Sequence, residues 1–300
     1  MITDIAASML AKLQNKAKES GRSYQLCLQL FCQEEFLRRV ELSKYADNLV
    51  LKGGLLIYTL TGFDSRATVD VDFLLQQMPN SEADILKMVR EIAATETGNS
   101  YIDFQVKSIA PISIQRKYNG FRITIVGMIK NTRAPFNIDF GVGDIIVPES
   151  EKRKIPSQLD GFAQPAINTY SLESTIAEKF DAIITRLEFN SRMKDFYDIY
   201  YIANHFNFEG KRLQEAIFET LKTRGTSYDN TTFKDIENLY TFAAVKTRWR
   251  SFFKKIKTSE LEFEMVINTI IKFLKPIIEA LVAGQKYSEH WDCKEGIWRK

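Results

Sequence analysis

Two aspartates one residue apart, Asp70 and Asp72, interrupt the apolar run Val69-Asp70-Val71-Asp72-Phe73-Leu74. In a strand, residues i and i+2 share a face, so both carboxylates point one way while Val69, Val71 and Phe73 turn to the core. Like charges side by side repel unless a cation sits between them. Magnesium, or manganese in its place, suits that role: it takes oxygen ligands from one or two carboxylates and fills its shell with phosphate and water. A solvated polar strand at a sheet edge is the other reading of an isolated Asp-x-Asp. A third carboxylate, Asp139, is fenced by Ile138 and Phe140 in the strand-like run Phe136-Asn137-Ile138-Asp139-Phe140. On a neighbouring strand it would complete a triad for a two-metal arrangement, binding the catalytic metal and assisting deprotonation of an attacking hydroxyl. Asp144 reads as a turn residue.

Upstream, the apolar strand Leu49–Leu51 runs through Lys52 into Gly53-Gly54 and a short helix over Leu55–Leu60. Two glycines let the backbone approach a bulky ligand, and the following helix N-terminus favours phosphate. Alone, the pair reads more readily as a tight turn. Arg66 either clamps phosphate or pairs with Asp64 or a motif carboxylate. Far downstream, Lys246–Lys255 interleaves cations with aromatics. Arg248, Arg250 and Lys254 could meet RNA phosphates and an exposed ring could stack a base. The alternative is a buried Trp249–Phe253 stripe with a solvated basic flank.

These residues need a scaffold. The chain has 300 residues, 45% hydrophobic and 26% charged, with a net charge of +3. That is enough for one large or two modest domains, without a global field to recruit nucleic acid. Three cysteines without a CxxC pair argue against a disulfide framework and a zinc site and fit a reducing cytoplasm. Two distant histidines leave metal work to carboxylates. The amphipathic, charged N-terminus is neither a secretory signal nor a membrane span. Two helices open the chain, the first capped by Thr3 or Asp4 and stopped at Gly21, the second over Tyr24–Tyr45. From Leu49 to Val147, short apolar runs and turns alternate with helices over Leu55–Leu60 and Glu82–Ala94. Pro148–Pro165 reads as a linker. After Ser171 everything reads as helix: Leu172–Arg186, Lys194–Asn204, Lys211–Lys222, Asp235–Lys257 and Leu261–Ala283. The class is α+β: a small mixed sheet flanked by helices, residues 1–165, then a helical domain, residues 166–300, contributing to the active site.

Gly-Gly, a spacer, Asp-x-Asp and a distant strand aspartate together resemble the polymerase-β-type nucleotidyltransferase superfamily. More narrowly, the run from Leu51 to Leu75 resembles the AbiEii toxin family, whose motif reads roughly KGGTxL…RxSxDxDF. Glu178-Lys179-Phe180-Asp181-Ala182, followed by Lys194-Asp195-Phe196-Tyr197-Asp198-Ile199-Tyr200, is similar to that family's second block. The resemblance spans about half the chain and implies transfer of nucleotides from a magnesium-bound NTP. It also implies bacterial toxin–antitoxin or phage-defence roles, a cognate antitoxin, and in some relatives modification of a tRNA acceptor end. Carried over by motif, Gly53 and Gly54 cradle phosphate, with Lys52, Arg66 and Thr68 as nucleotide-binding neighbours. Asp70 and Asp72 hold metal, Lys179 contacts the triphosphate, and Asp198 is the second-block acid. Leu55 stands where the family has a hydroxyl, removing one phosphate hydrogen bond; Thr68 replaces its serine and keeps the hydroxyl.

A helix-borne cation such as Lys179 also makes sense physically, because it offsets charge building on a leaving pyrophosphate. The plain alternative is a surface lysine paired with Asp181 or Glu178. Asp198 likewise either pairs with Lys194 at i,i+4 on a polar helix flank or orients Lys179. Two other functions remain open: transfer to a protein or small molecule, and nucleotide binding without catalysis.

Overall fold

The computed structural model describes residues 4–112 and 120–300, so Thr3 lies outside the described residues. The chain forms two compact units. One comprises Met1–Gly143 and Glu151–Thr169, the other Asp144–Ser150 and Tyr170–Lys300.

The first unit begins with α1 (Ile5–Ser20), capped by Asp4, whose carboxylate accepts from Ala7 N at 3.0 Å, and ended by Gly21 at φ +68°. α2 (Tyr24–Leu42) follows a Ser23 cap and is buried on almost every side. Its apolar residues Phe31 and Phe36 join the core, and its charged ones are buried as well. Burial of Glu35, Arg38 and Arg39 is tolerated because they pair with each other and with backbone. Arg38 Nη1 lies 3.1 Å from Glu35, its Nε donates to Ala163 O at 2.7 Å, and Arg39 Nη2 donates to Ile102 O at 2.7 Å.

Among the described residues, seven strands build one sheet: β1 (Leu49–Lys52), β2 (Asp70–Leu75), β3 (Ile102–Ile112), β4 (Gly120–Ile129), β5 (Thr132–Gly141), β6 (Glu151–Lys154) and β7 (Ala166–Thr169). Their spatial order is β3-β4-β5-β2-β1-β7-β6. The β2/β5 and β1/β7 pairs are parallel and the others antiparallel, so the sheet is mixed as expected. α3 (Gly53–Leu60) follows β1, and α4 (Glu82–Ala93) follows β2. Alternation sorts β5 cleanly. Phe136, Ile138 and Phe140 are buried, with Phe140 stacked on Phe73 at 6.0 Å and Phe136 meeting Phe36 edge-on. Asn137 and Asp139 therefore take the opposite face. Val69, expected in the core, precedes β2 and is exposed.

The stretch 148–165 is not simply a linker. It contains β6, which ends the sheet and pairs with β7, and β7 carries the first unit to Thr169. The sequence of β6, Glu-Lys-Arg-Lys, looks like a loop because charge is what an edge strand carries to discourage pairing with other chains.

The second unit holds α5 (Leu172–Arg186), α6 (Met193–His205), α7 (Gly210–Arg224), α8 (Thr232–Glu237), α9 (Ala243–Ile256) and α10 (Phe263–Val282). The helix expected over 235–257 is split, with a 3-10 turn at Leu239–Thr241 between α8 and α9. The unit is also not all helix. β8 (Phe208–Glu209), β9 (His290–Asp292) and β10 (Ile297–Arg299) form a three-stranded sheet, each strand too short to show a period. Tryptophans pin it: Trp291 donates to Ala203 O at 2.7 Å and Trp298 to Phe273 O at 3.0 Å. Among the described residues no helix is long and apolar enough to cross a membrane.

Candidate active site

The sheet register decides which of the sequence-marked carboxylates meet. β2 and β5 lie parallel with Asp72 beside Asp139 and Asp70 beside Asn137. Register partners on neighbouring strands project to the same face, so the three aspartates share one side of the sheet. The row extends both ways, since β1 sets Lys52 opposite Asp72 and β4 sets Arg122 opposite Asp139. Four strands thus present Lys52, Asp72, Asp139 and Arg122 abreast, positive at the flanks and negative in the middle. A second polar row lies alongside: Thr124 Oγ1 donates to Asn137 Oδ1 at 3.0 Å, and Asn137 Nδ2 donates to Asp70 Oδ1 at 3.2 Å. A one-residue slip of β5 would turn Asp139 into the core, which the buried Phe136, Ile138 and Phe140 forbid.

Arg122 is the residue the sequence reading missed. Its Nε and Nη2 donate to the two oxygens of Asp139 at 2.7 and 2.6 Å, a bidentate fork, and Nη2 is 3.9 Å from Asp70. The Asp139 hydrogen bonds raise the guanidinium above its ordinary pKa, burial works against them, and the charges of Asp139, Asp70 and Asp72 add to the rise. The one sequence signal was an arginine two residues from Thr124 in an otherwise apolar strand, and only the β4/β5 register gives it meaning.

Oxygen-only donors on one half-buried face fit magnesium or manganese in type. Their present arrangement is looser than the closed triad expected. Among the described residues no three histidine, cysteine or acidic side chains are gathered so as to hold an ion. Both oxygens of Asp139 are taken by Arg122, which stands as the cation there.

The glycine turn abuts this row. Gly53 has φ +71°, and a Cβ there would lie 2.7 Å from Asp72 Cγ and 3.0 Å from Asp72 Cβ. No other residue fits, both for backbone hand and for space. α3 starts at Gly53 rather than Leu55, so its unpaired amides belong to the glycines themselves. At Gly54 a Cβ would be 3.2 Å from Arg66 Nη2 and from Thr68 Oγ1, which places both side chains over the helix start. Lys52 Nζ reaches toward Gly141 of β5, 3.7 Å from where a Cβ would stand. Lys52, Gly53, Gly54, Arg66 and Thr68 thus form one turn beside Asp72.

In the second unit Lys179 donates to Asp198 Oδ2 at 2.6 Å and lies 3.5 Å from Asp195 Oδ1. Arg192 Nε donates to the other oxygen of Asp195 at 2.7 Å. Asp195 and Asp198 are fully buried. They do not lie on a solvated helix flank, and Asp198 meets Lys179, as the reading in which it orients that lysine expects. Asp181 and Glu178, weighed as partners of Lys179, are held by Arg224 at 3.0 and 3.1 Å. Asp144, read as a turn residue, is fixed by the same guanidinium at 2.7 Å. Burial opposes the charge on Arg224, but Glu178, Asp144 and Asp181 together carry its pKa above the ordinary value.

The basic stretch on α9 divides between core, loop and solvent. Trp249 and Phe253 are buried, and Arg248 donates to Glu188 O and Asn190 O at 2.6 and 3.1 Å, bracing a loop rather than facing solvent. Arg250 and Lys254 are exposed.

No curated protein matches the chain. Among solved structures, the Helicobacter pylori protein JHP933 is similar at 16% identity and a TM-score of 0.47, over 86% of this chain and 98% of that one. A second Helicobacter pylori protein, provisionally assigned as a nucleotidyltransferase, is similar at 14% identity and a TM-score of 0.43, over 86% and 99%. Residues 35–269 match the family described as the nucleotidyl transferase AbiEii toxin of a type IV toxin–antitoxin system, and with both the glycine turn and the Lys179–Asp198 pair inside that span, the chain belongs to this family of nucleotidyltransferases.

Proposed function

We propose that the chain moves a nucleotidyl group from an NTP to an RNA acceptor, tRNA in the first instance, with a divalent cation, as a toxin held in check by a cognate antitoxin. The observation that carries this reading is the placing of Asp70, Asp72 and Asp139 on one sheet face beside the Gly53–Gly54 turn. Magnesium or manganese, when bound, neutralises phosphate charge and draws the reacting oxygens together. Asp70, Asp72 and Asp139 are the residues that would hold it, and Asp139 is also the candidate to assist deprotonation of the acceptor hydroxyl. The backbone amides of Gly53 and Gly54 receive phosphate oxygens, and Lys52 and Arg66 add cations at the same turn. Lys179, oriented by Asp198, is the residue proposed to contact the triphosphate, a role supported by the match of the second block. Arg250 and Lys254, exposed on α9, offer phosphate contacts to RNA.

The test is transfer of label from an alpha-labelled triphosphate to total RNA in the presence of magnesium. Label is expected in tRNA and should vanish with chelator and in the Asp70→Ala protein. Label in protein or in a small molecule, with RNA blank, would reassign the acceptor; no label anywhere would leave a nucleotide-binding module without catalysis.

A further inference from the structure

We infer that Arg122 is a resident counter-cation that competes with the divalent ion for Asp139, so that metal occupancy requires the guanidinium to let go. The inference rests on the carboxylate row being the metal site proposed above.

Three observations meet here. Arg122 occupies both oxygens of Asp139 and leans on Asp70, so it neutralises the cluster that a cation must otherwise neutralise. With that fork in place, no three acidic, histidine or cysteine side chains among the described residues are gathered to hold an ion. The arginine is also built to leave, since its side chain is 46% exposed whereas Asp139 is 16% exposed. The fork is a strong bidentate pair, but solvent on one side of the guanidinium screens it and can take up its donors when it parts. The carboxylate stays fixed on its strand while the long arm of the arginine moves. The apparent metal affinity then falls by the fraction of time Asp139 is free. A face of three adjacent carboxylates keeps a neutralising partner in the absence of metal while Arg122 remains on it.

The experiment is calorimetric titration of Mn2+ into the full chain, without nucleotide or RNA, for wild type, Arg122→Gln, Asp139→Asn and the double variant. Arg122→Gln is expected to bind Mn2+ about tenfold tighter, as follows if the fork holds Asp139 some nine-tenths of the time. In the Asp139→Asn background the same change should have little effect. Its melting temperature should fall without metal and rise more steeply with Mn2+ than that of wild type. Unchanged or weaker Mn2+ binding overturns the inference, and so does an equal gain in both backgrounds, which would mean only a diffuse field effect. If Arg122→Gln does not fold, Arg122→Lys, which keeps the charge but loses the fork, must still bind Mn2+ tighter than wild type. Labelled RNA with unmoved Mn2+ affinity sinks this inference alone. Tightened Mn2+ binding with blank RNA sinks the acceptor assignment alone, and absence of Mn2+ binding in every variant sinks the metal site with it.

Discussion

Gly53→Ala gives the sharpest test of the carboxylate row, because one methyl group meets two separate obstacles. The backbone at Gly53 is left-handed at φ +71°, which costs an L-residue about 1–2 kcal/mol. The new Cβ would also lie 3.0 Å from Asp72 Cβ and 2.7 Å from its Cγ. Rotating the Asp72 side chain relieves the second contact but not the first, so β1 and β2 must part slightly as well. Overpacking of this kind adds about 1–3 kcal/mol, giving a loss of roughly 2–5 kcal/mol in all. The larger consequence is chemical: Asp72 is pushed out of the row, and loss of a preorganised electrostatic group costs about two to three powers of ten in rate. The control is Gly54→Ala, where the nearest atoms are at 3.2 Å and the backbone is not left-handed. The assay is initial rate of label transfer, with thermal melts in parallel. Gly53→Ala transferring at the wild-type rate, or no worse than Gly54→Ala, would show that Asp72 does not act from the position seen here.

Asp198→Asn removes the closest partner of buried Lys179 and leaves it to Asp195 at 3.5 Å, so the second unit should lose about 3 kcal/mol in denaturant melts; a loss near zero would mean the pair is not needed for the fold. Arg248→Ala should lower stability by about 1–2 kcal/mol, because its two carbonyl contacts go, while leaving RNA affinity unchanged. Arg250→Ala and Lys254→Ala should each flatten the salt dependence of RNA binding by roughly one unit of slope, and an unmoved slope removes α9 from the interface. Burial pushes Cys32 from 9.0 to about 12, and Tyr58 and Tyr101 from 10.0 to about 12. All three folded values are raised, so the unfolded chain ionises first. Their contribution is whole below about pH 9 and drains away as pH climbs to 12. A melting temperature flat across that window would contradict their burial.

What the sequence disclosed was what local periodicity carries. Asp70 and Asp72 alternate with Val71 and Phe73, and Asp139 with Ile138 and Phe140, so the shared face follows once the strands are neighbours. Pairing of those strands is non-local and only the motif order hinted at it. Arg122 stayed hidden for that reason, since its partner lies seventeen residues away across a hairpin whose register sets the meeting. Asp195 and Asp198 looked superficial because charge ordinarily faces water, and it took Lys179 and Arg192 together to make burial tolerable. β6 was disguised by its edge charges, and β8, β9 and β10 by their brevity.

β1 sits between β2, twenty-odd residues downstream, and β7, where Leu51 pairs with Thr169. Between those partners the polypeptide departs at Gly143, spends Asp144–Ser150 in the other unit, and comes back. During translation, then, the middle of this sheet keeps a bare edge until Thr169 has cleared the ribosome. A product cut off near Gly143 would retain every aspartate of the row yet expose β1 to foreign strands, a route to aggregation rather than to a smaller working enzyme.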